Sequence, residues 1–318
     1  MAGTWERMHE ITSIDKETAG LLFKCFDQKK EVESLEMLVG GRSTTNYKVI
    51  IKGLKQAFVL RVYPRADRSC HKEFAVHNAV KDYIPVPEIY YINDEKTVID
   101  KPYAIVQFLD GVMLDRYMAE NTGLDGILAE EIGEKLACLH QKEFDREGYL
   151  DENLNIVGDL PPILSWYGYF LNNRAGERLG SEMKMKVLEC LRGNHDLLVQ
   201  VTQRFTFSHG DFRPSNMMVK DGKLIGILDW EKSFSAPAYY DIGQFTRYME
   251  QLKDDSENSF IKGYNRNARI PVSDEWRKIA KLTDLANILW LLDIKEDKPV
   301  LFSEMRNLVR RTMDLFNT

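Results

Sequence analysis

The sequence predicts an α+β protein of two lobes, a small β-rich N-terminal lobe with one helix and a larger helical C-terminal lobe. Three observations carry this. Residues 1–109 hold short runs rich in β-branched and aromatic residues. Residues 110–318 hold apolar residues at helical spacing. Asp110-Gly111 marks the change, and 318 residues suffice for two lobes with a sizeable core.

Residues 35–39 (LEMLV) and 46–51 (NYKVII) read as a strand pair around a Gly-rich turn. Residues 57–63 (AFVLRVY) make a third strand, which Pro64 stops. Over 69–82 the spacing of Phe74, Val76, Ala79, Val80 and, just beyond, Tyr83 predicts a helix, ended by Pro85-Val86-Pro87. Residues 97–99 and 103–109 read as two more strands. Over 124–140, Ile127, Leu128, Ile132, Leu136 and Leu139 form one helical stripe. Residues 182–204 read as a helix bent near Gly193. Short strands are predicted at 205–208, 216–219 and 224–228, and helices at 241–252, 257–265, 274–294 and 301–316.

The bulk numbers exclude several classes. Net charge is −6, against the basic face of a nucleic-acid binder. No apolar run is long enough to cross a bilayer, and MAGTWERMHE lacks the apolar region of a signal peptide. Cys25, Cys70, Cys138 and Cys190 are far apart, so reduced thiols and a cytoplasmic location are expected rather than disulfides or zinc.

The densest polar signal is SHGDFRPSNMMVKDGKLIGILDW, Ser208 to Trp230. Asn216 follows Asp211 by five positions, and Asp229 ends an apolar strand eighteen positions after Asp211. Asn216 and Asp229 offer two oxygen ligands, which suits Mg²⁺, an ion that keeps waters and phosphate oxygens for its other positions. Asp211 then stands nearby, able to accept a proton from an attacking hydroxyl. This is the layout of a kinase catalytic loop, with His209-Gly210-Asp211 where protein kinases have H-R-D and Asp229-Trp230-Glu231 where they have D-F-G.

These replacements resemble the aminoglycoside phosphotransferase family and its choline-kinase-like relatives. Their pattern is H-G-D-x-x-x-x-N, a strand ending in D-W-E, and a further Asp, here Asp241. The resemblance spans roughly residues 35 to 245 and implies a protein-kinase-like fold. It implies that Arg61 on the third strand grips the donor phosphates, oriented by Glu73 twelve positions on. It implies that the turn containing Gly41, Ser43 and Thr44 covers those phosphates with backbone N–H groups. Val106–Leu109 becomes the hinge that reads a purine, through the Gln107 carbonyl and the Leu109 N–H. Arg213 is placed to lean toward the γ-phosphate.

Other residues take structural roles in this reading. His209 braces the catalytic loop, and Asp241 caps a helix and holds that loop. Arg61 and Glu73 could also be an ordinary ion pair. His71, His77 and His140 are read as helix-face residues, and Trp166, Trp276 and Trp290 as core.

The expected function is a small-molecule kinase that moves the γ-phosphate of ATP or GTP, with Mg²⁺, to a substrate hydroxyl. An aminoglycoside acceptor, and with it antibiotic resistance, is implied by the resemblance alone. Residues 250–298 carry ten acidic and nine basic residues, a balance that does not favour a strongly cationic ligand. Choline, homoserine and sugar kinases of the same fold stay open. A macrolide kinase is disfavoured by Asn216 where such relatives often carry His. A protein kinase is disfavoured by the twelve positions from Asp229 to Asp241, too few for an activation segment. An inactive nucleotide-binding module is disfavoured because Asp211, Asn216 and Asp229 are all present.

Overall fold

The computed structural model describes residues 5–39, 43–65, 67–201, 204–249 and 255–316. The N-terminal lobe runs α1 (Lys16–Phe26), β1 (Val32–Leu38), β2 (Thr45–Ile51), β3 (Ala57–Val62), α2 (Ser69–Val80), β4 (Ile89–Asn93) and β5 (Tyr103–Gln107). Its strands form one antiparallel sheet in the order β1-β2-β3-β5-β4. Burial alternates strictly along β2, so Tyr47, Val49 and Ile51 face inward together. On that face they meet Leu22 and Phe23 of α1, with Phe58, Leu60 and Tyr103.

Two sequence expectations fail in this lobe. It holds two helices, not one: α1 was not anticipated. Its apolar stripe is only Ala19, Leu22 and Phe23, which gains its helix from packing on the sheet, with Asp15 capping its start by accepting from Thr18 N at 2.7 Å. Residues 97–99 form no strand; Val98 and Ile99 pack on the core from bends, and the strand beside β5 is β4 instead.

The C-terminal lobe runs β6 (Val112–Met113), α3 (Leu114–Glu120), α4 (Gly126–Leu139), β7 (Glu143–Phe144), β8 (Gly148–Leu150), β9 (Ile156–Asp159), α5 (Ile163–Leu171), α6 (Arg174–Leu179), α7 (Ser181–Gly193), α8 (His195–Val201), β10 (Phe205–Ser208), β11 (Met217–Lys220), β12 (Lys223–Ile227), β13 (Phe234–Ala236), α9 (Tyr239–Thr246), α10 (Ser256–Asn267), α11 (Trp276–Asp293) and α12 (Pro299–Phe316). The break foreseen near Gly193 separates α7 from α8. Helices α4 and α10 cross closely because Gly133 and Gly263 carry no side chain. A Cβ on Gly133 would stand 2.1 Å from Phe260 O, and one on Gly263 would stand 2.1 Å from Glu130 O. The stripe predicted on α4 buries Leu128, Ile132, Leu136 and Leu139, but Ile127 is 81% exposed because it lies on the opposite face. Phe74 and Trp290 also reach the surface.

The lobes share packing. Val76, Val80 and Ile84, in and just after α2, belong to the same core as Leu136, Phe212, Ile227 and Trp230. A second core joins α5–α8 to α11 and α12 through Phe170, Leu289, Met305 and Val309. Two small sheets, β7-β10-β13-β8-β9 and β12-β11-β6, deliver the polar motifs to the junction. Among the described residues, no helix is long and apolar enough to cross a membrane.

Candidate active site

Strand β10 ends at Ser208 and releases His209-Gly210-Asp211 into a loop that α9 holds by its backbone. Asp241 accepts from His209 N at 2.7 Å with Oδ2 and from Gly210 N at 3.0 Å with Oδ1. Gln244 accepts from Phe212 N at 2.7 Å and donates to Gly210 O at 3.1 Å. Asp241 does not cap α9, whose N-cap is Ala238; it lies in the first turn and spends both oxygens on the loop. It is fully buried and also meets His140 Nε2 at 3.2 Å, while His140 Nδ1 lies 2.9 Å from Tyr264 OH. His140 is thus part of the loop's support.

His209 braces the loop from within. Its Nδ1 accepts from Asp211 N at 3.1 Å, so Nε2 carries the proton and donates to Leu228 O at 2.9 Å. Burial holds its pKa below the usual value, against the pull of Asp241 and Asp211, which matches this neutral tautomer. Gly210 is required by geometry: its φ is +80°, and a Cβ there would stand 2.4 Å from Lys232 O.

Asp211 is clamped by two cations. Arg213 Nε lies 2.5 Å from Asp211 Oδ1, and Nη2 donates to Oδ2 at 2.9 Å. Lys232 Nζ donates to Oδ2 at 3.3 Å. The sequence placed Arg213 toward a γ-phosphate; here its guanidinium is spent on Asp211. Asn216 Nδ2 donates to Asp211 O at 2.9 Å, and Asn216 O accepts from Leu228 N at 2.8 Å. That pair of bonds ties the Asp211 loop to the end of β12, where Asp229 follows.

Asp229 adopts a left-handed backbone, φ 63° and ψ 54°, which is rare for a residue with a Cβ and turns the chain sharply out of the strand. Arg61 Nη2 stands 2.7 Å from Asp229 Oδ1 and 3.3 Å from Glu231 Oε2, and Arg61 Nε stands 3.3 Å from Glu73 Oε2. The foreseen Arg61–Glu73 pair is thus one edge of a four-residue cluster. Tyr63 OH adds a 2.6 Å bond to Glu73. Burial raises the Glu73 pKa despite Arg61, and raises Glu231 to about 7. At Asp229 burial also pushes upward, but the charge and hydrogen bond of Arg61 more than offset it, and the carboxyl sits below its usual value.

Ser43 and Thr44 lead into β2, and their carbonyls accept from Arg7 Nη2 at 3.4 and 3.1 Å. Gly41 lies outside the described residues. β5 ends at Gln107, whose N–H donates to Glu88 O at 2.7 Å and whose Oε1 accepts from Glu88 N at 3.1 Å. Leu109 packs its Cδ1 where a Cβ on Gly226 would fall. Sequence reasoning gave no role to Glu231, Lys232, Gln244, Trp5 or Arg7. For Glu231 and Lys232 the signal was their adjacency to Asp229. Gln244 lies three positions after Asp241, one helical turn on, and so faces the same loop.

Aminoglycoside phosphotransferase APH(4)-Ia superposes with a TM-score of 0.66 at 16% identity, over 94% of this chain and 99% of that one. Choline kinase from Streptococcus pneumoniae superposes with a TM-score of 0.64 at 15% identity, over 94% and 99%. The fold is therefore the bilobal kinase-like fold. An aminoglycoside 3'-phosphotransferase of Enterococcus faecalis is 32% identical over 77 residues, 24% of this chain and 28% of that protein. A probable acyl-CoA dehydrogenase of Arabidopsis thaliana is 25% identical over 216 residues, 63% of this chain and 26% of that protein. The chain thus spans about a quarter of the length of these curated relatives. The family model described as the phosphotransferase enzyme family matches residues 34–282, which takes in Arg61, Glu73, Asp211, Asn216, Asp229 and Asp241. On that match the chain belongs to the phosphotransferase enzyme family.

Proposed function

We propose that this chain is a small-molecule kinase that transfers the γ-phosphate of ATP to a substrate hydroxyl, with Asp211 as its catalytic carboxylate. The observation that carries this reading is the hydrogen-bonded bridge through Asn216, which joins the Asp211 loop to the strand bearing Asp229. The loop bearing one carboxylate is thereby tied to the end of the strand bearing the other.

The residues present suit Mg²⁺. The Asp229 side chain is 41% exposed although its Oδ1 already meets Arg61, so it can take a partner from the cleft. Asn216 uses its nitrogen on Asp211 O, which leaves its oxygen as the neutral donor. Mg²⁺ takes one or two protein carboxylates and completes its shell from phosphates and water. When bound, the ion neutralises charge on the donor phosphates.

The chain's own groups supply the rest. Asp211 orients the acceptor hydroxyl; the hydroxyl oxygen bonds to the γ-phosphorus as the bond to the β-phosphate bridging oxygen breaks, and the hydroxyl proton passes to Asp211. In a loose transition state the carboxylate's main task is to position the hydroxyl, and proton transfer comes late. Arg213 and Lys232 hold the Asp211 carboxylate in one orientation toward the acceptor. Arg61, held among Asp229, Glu231 and Glu73, grips donor phosphates by exchanging carboxylate partners for phosphate oxygens, which its guanidinium matches equally well. The turn with Gly41, Ser43 and Thr44 covers the phosphates, and Gln107 to Leu109 receives the purine through its backbone. Solved relatives bound to ADP or AMP-PNP with hygromycin B support ATP over GTP. A cytoplasmic setting accords with four free cysteines.

A second reading of the acceptor, a metabolite rather than an aminoglycoside, is favoured by Arg213 and Lys232 at Asp211. A polycation would bring ammonium groups against them. The deciding experiment measures ADP release from ATP, or GDP release from GTP, by purified protein against aminoglycosides, macrolides, choline, homoserine and sugars. Asp211→Ala is expected to lower turnover on the accepted substrate about 10²- to 10⁴-fold while nucleotide binding persists. Near-normal turnover in that variant would remove Asp211 from the catalytic role.

A further inference from the structure

Residues Trp5 to Arg7 belong to none of the motifs above, yet they touch both lobes beside Asp211. The Trp5 ring centroid lies 5.1 Å from the guanidinium carbon of Arg213. Trp5 Nε1 donates to Glu304 Oε2 on α12 at 2.5 Å, and the Tyr248 hydroxyl donates to Glu304 Oε1. Glu6 accepts from Val300 N at 3.0 Å and Leu301 N at 3.4 Å in the first turn of α12. Arg7 donates to the Thr44 and Ser43 carbonyls across the cleft, and Lys298 Nζ donates to Arg7 O at 2.7 Å. The segment is thus fastened to α12 on one side and to the entry of β2 on the other. Between these anchors Trp5 presses on the guanidinium that grips Asp211.

We propose that Trp5 is a positioning residue for phosphoryl transfer, acting through Arg213 on Asp211. The inference rests on the reading of Asp211 as the catalytic carboxylate. An arginine side chain has many rotamers, and a carboxylate bound to it is only as well placed as the guanidinium is. An indole stacked on that guanidinium removes alternatives through cation–π attraction and excludes water from the pair. The indole is itself fixed, because Glu304 holds its N–H and Tyr248 holds Glu304. Trp5 therefore sets the orientation of a group 208 positions further along the chain (Trp5 to Arg213) without touching the reacting atoms.

The test uses the full chain, MgATP and water as acceptor, with wild type, Trp5→Ala, Trp5→Phe, Arg213→Ala and the Trp5→Ala/Arg213→Ala double variant. Trp5→Ala is expected to lower kcat for ATP hydrolysis about tenfold, with KM for MgATP within about twofold of wild type. Trp5→Phe, which keeps a stacking ring, restores most of the loss. In the Arg213→Ala background Trp5→Ala adds nothing, because the two residues act as one unit. Additive losses, or a change in KM alone, overturn the proposal. A second measurement is independent of turnover. Amide hydrogen exchange at Asp211 and Phe212 is expected to quicken in Trp5→Ala when Arg213 is present and to stay unchanged when it is not. Equal exchange in wild type and Trp5→Ala also overturns it. A wild type that hydrolyses no ATP counts against the kinase reading, and the exchange data still decide the role of Trp5.

Discussion

Arg61 and Asp229 are separated by 168 residues in the chain and by 2.7 Å in the fold. Arg61 comes from the middle of the N-terminal sheet, and Asp229 from the end of a strand in the other lobe. The contact spans the two lobes, and Glu73 and Glu231 meet the same guanidinium.

Removing that guanidinium is expected to unsettle the whole cluster. Arg61→Ala leaves Glu73 and Glu231 buried without their cation, a change worth about 3–5 kcal/mol when a buried pair is broken. Arg61→Lys keeps a charge but cannot reach Glu73 and Asp229 together, so its stability loss is smaller while phosphoryl transfer still falls. Urea denaturation followed by circular dichroism checks the order wild type, Lys, Ala. An Arg61→Ala protein as stable as wild type contradicts it.

Gly210 makes a sharper case. Its left-handed backbone costs any other residue about 1–2 kcal/mol, and its Cβ would also meet Lys232 O. Gly210→Ala must push the Asp211 loop away from the turn at Trp230–Lys232. We expect kcat to fall on the order of 10²-fold, the effect of misplacing a reacting group by about 1 Å, with nucleotide affinity retained. Calorimetric titration with nucleotide, alongside turnover, separates these. Unchanged kcat contradicts the packing argument.

Asp241→Asn keeps the shape of the side chain and replaces one acceptor oxygen with a donor. One of the two loop amides, His209 N or Gly210 N, then faces an N–H group instead of an oxygen. The expected cost is about 1–3 kcal/mol of stability, with a fall in kcat as the loop loosens. A thermal melt checks the first and turnover the second. A variant with wild-type melting and wild-type kcat shows the network to be dispensable.

The pH dependence of stability gives a test away from the reacting atoms. Burial lowers the His77 pKa to about 4 from the model-peptide 6.5, and its Nδ1 donates to Pro87 O at 2.9 Å. The folded-state pKa is depressed, so between pH 6.5 and 4 the unfolded chain binds more protons. Stability is then expected to fall as pH drops through that window, by about 3 kcal/mol in all, and to be flat in this respect above it. Glu231, raised to about 7, acts with the opposite sign, losing stability as pH rises from 4.5 toward 7. The His77→Gln variant isolates the first effect. Its stability relative to wild type should rise steadily as pH falls from 6.5 to 4, as measured by urea midpoints at each pH. Parallel profiles for the two proteins rule out His77 as the titrating group.

What could be read before folding follows from range. The spacing of Asp211, Asn216 and Asp229 is local: two short strands and a turn hold all three, so the chemistry was legible in twenty residues. Arg61 and Glu73 were legible only through the family resemblance, which expects a cation on the third strand and an acid on the helix after it. The longer helices of the C-terminal lobe, α4, α11 and α12 among them, announced themselves by apolar periods, whereas the short α3, α5 and α6 were not anticipated. Helix α1 did not, since its three-residue stripe means little without a sheet to cover.

The sequence by itself determined the lobe order, the strand–loop–strand unit that carries Asp211 and Asp229, and the family. Only the tertiary structure decided which groups those carboxylates meet. Arg213 and Lys232 on Asp211, Arg61 on Asp229, Asp241 beneath the loop and Trp5 above Arg213 are contacts between elements distant in sequence or set by loop geometry. The reason is physical: periodicity records which face of an element is buried, whereas ion pairing depends on where side chains from several elements converge, and no local pattern encodes that point.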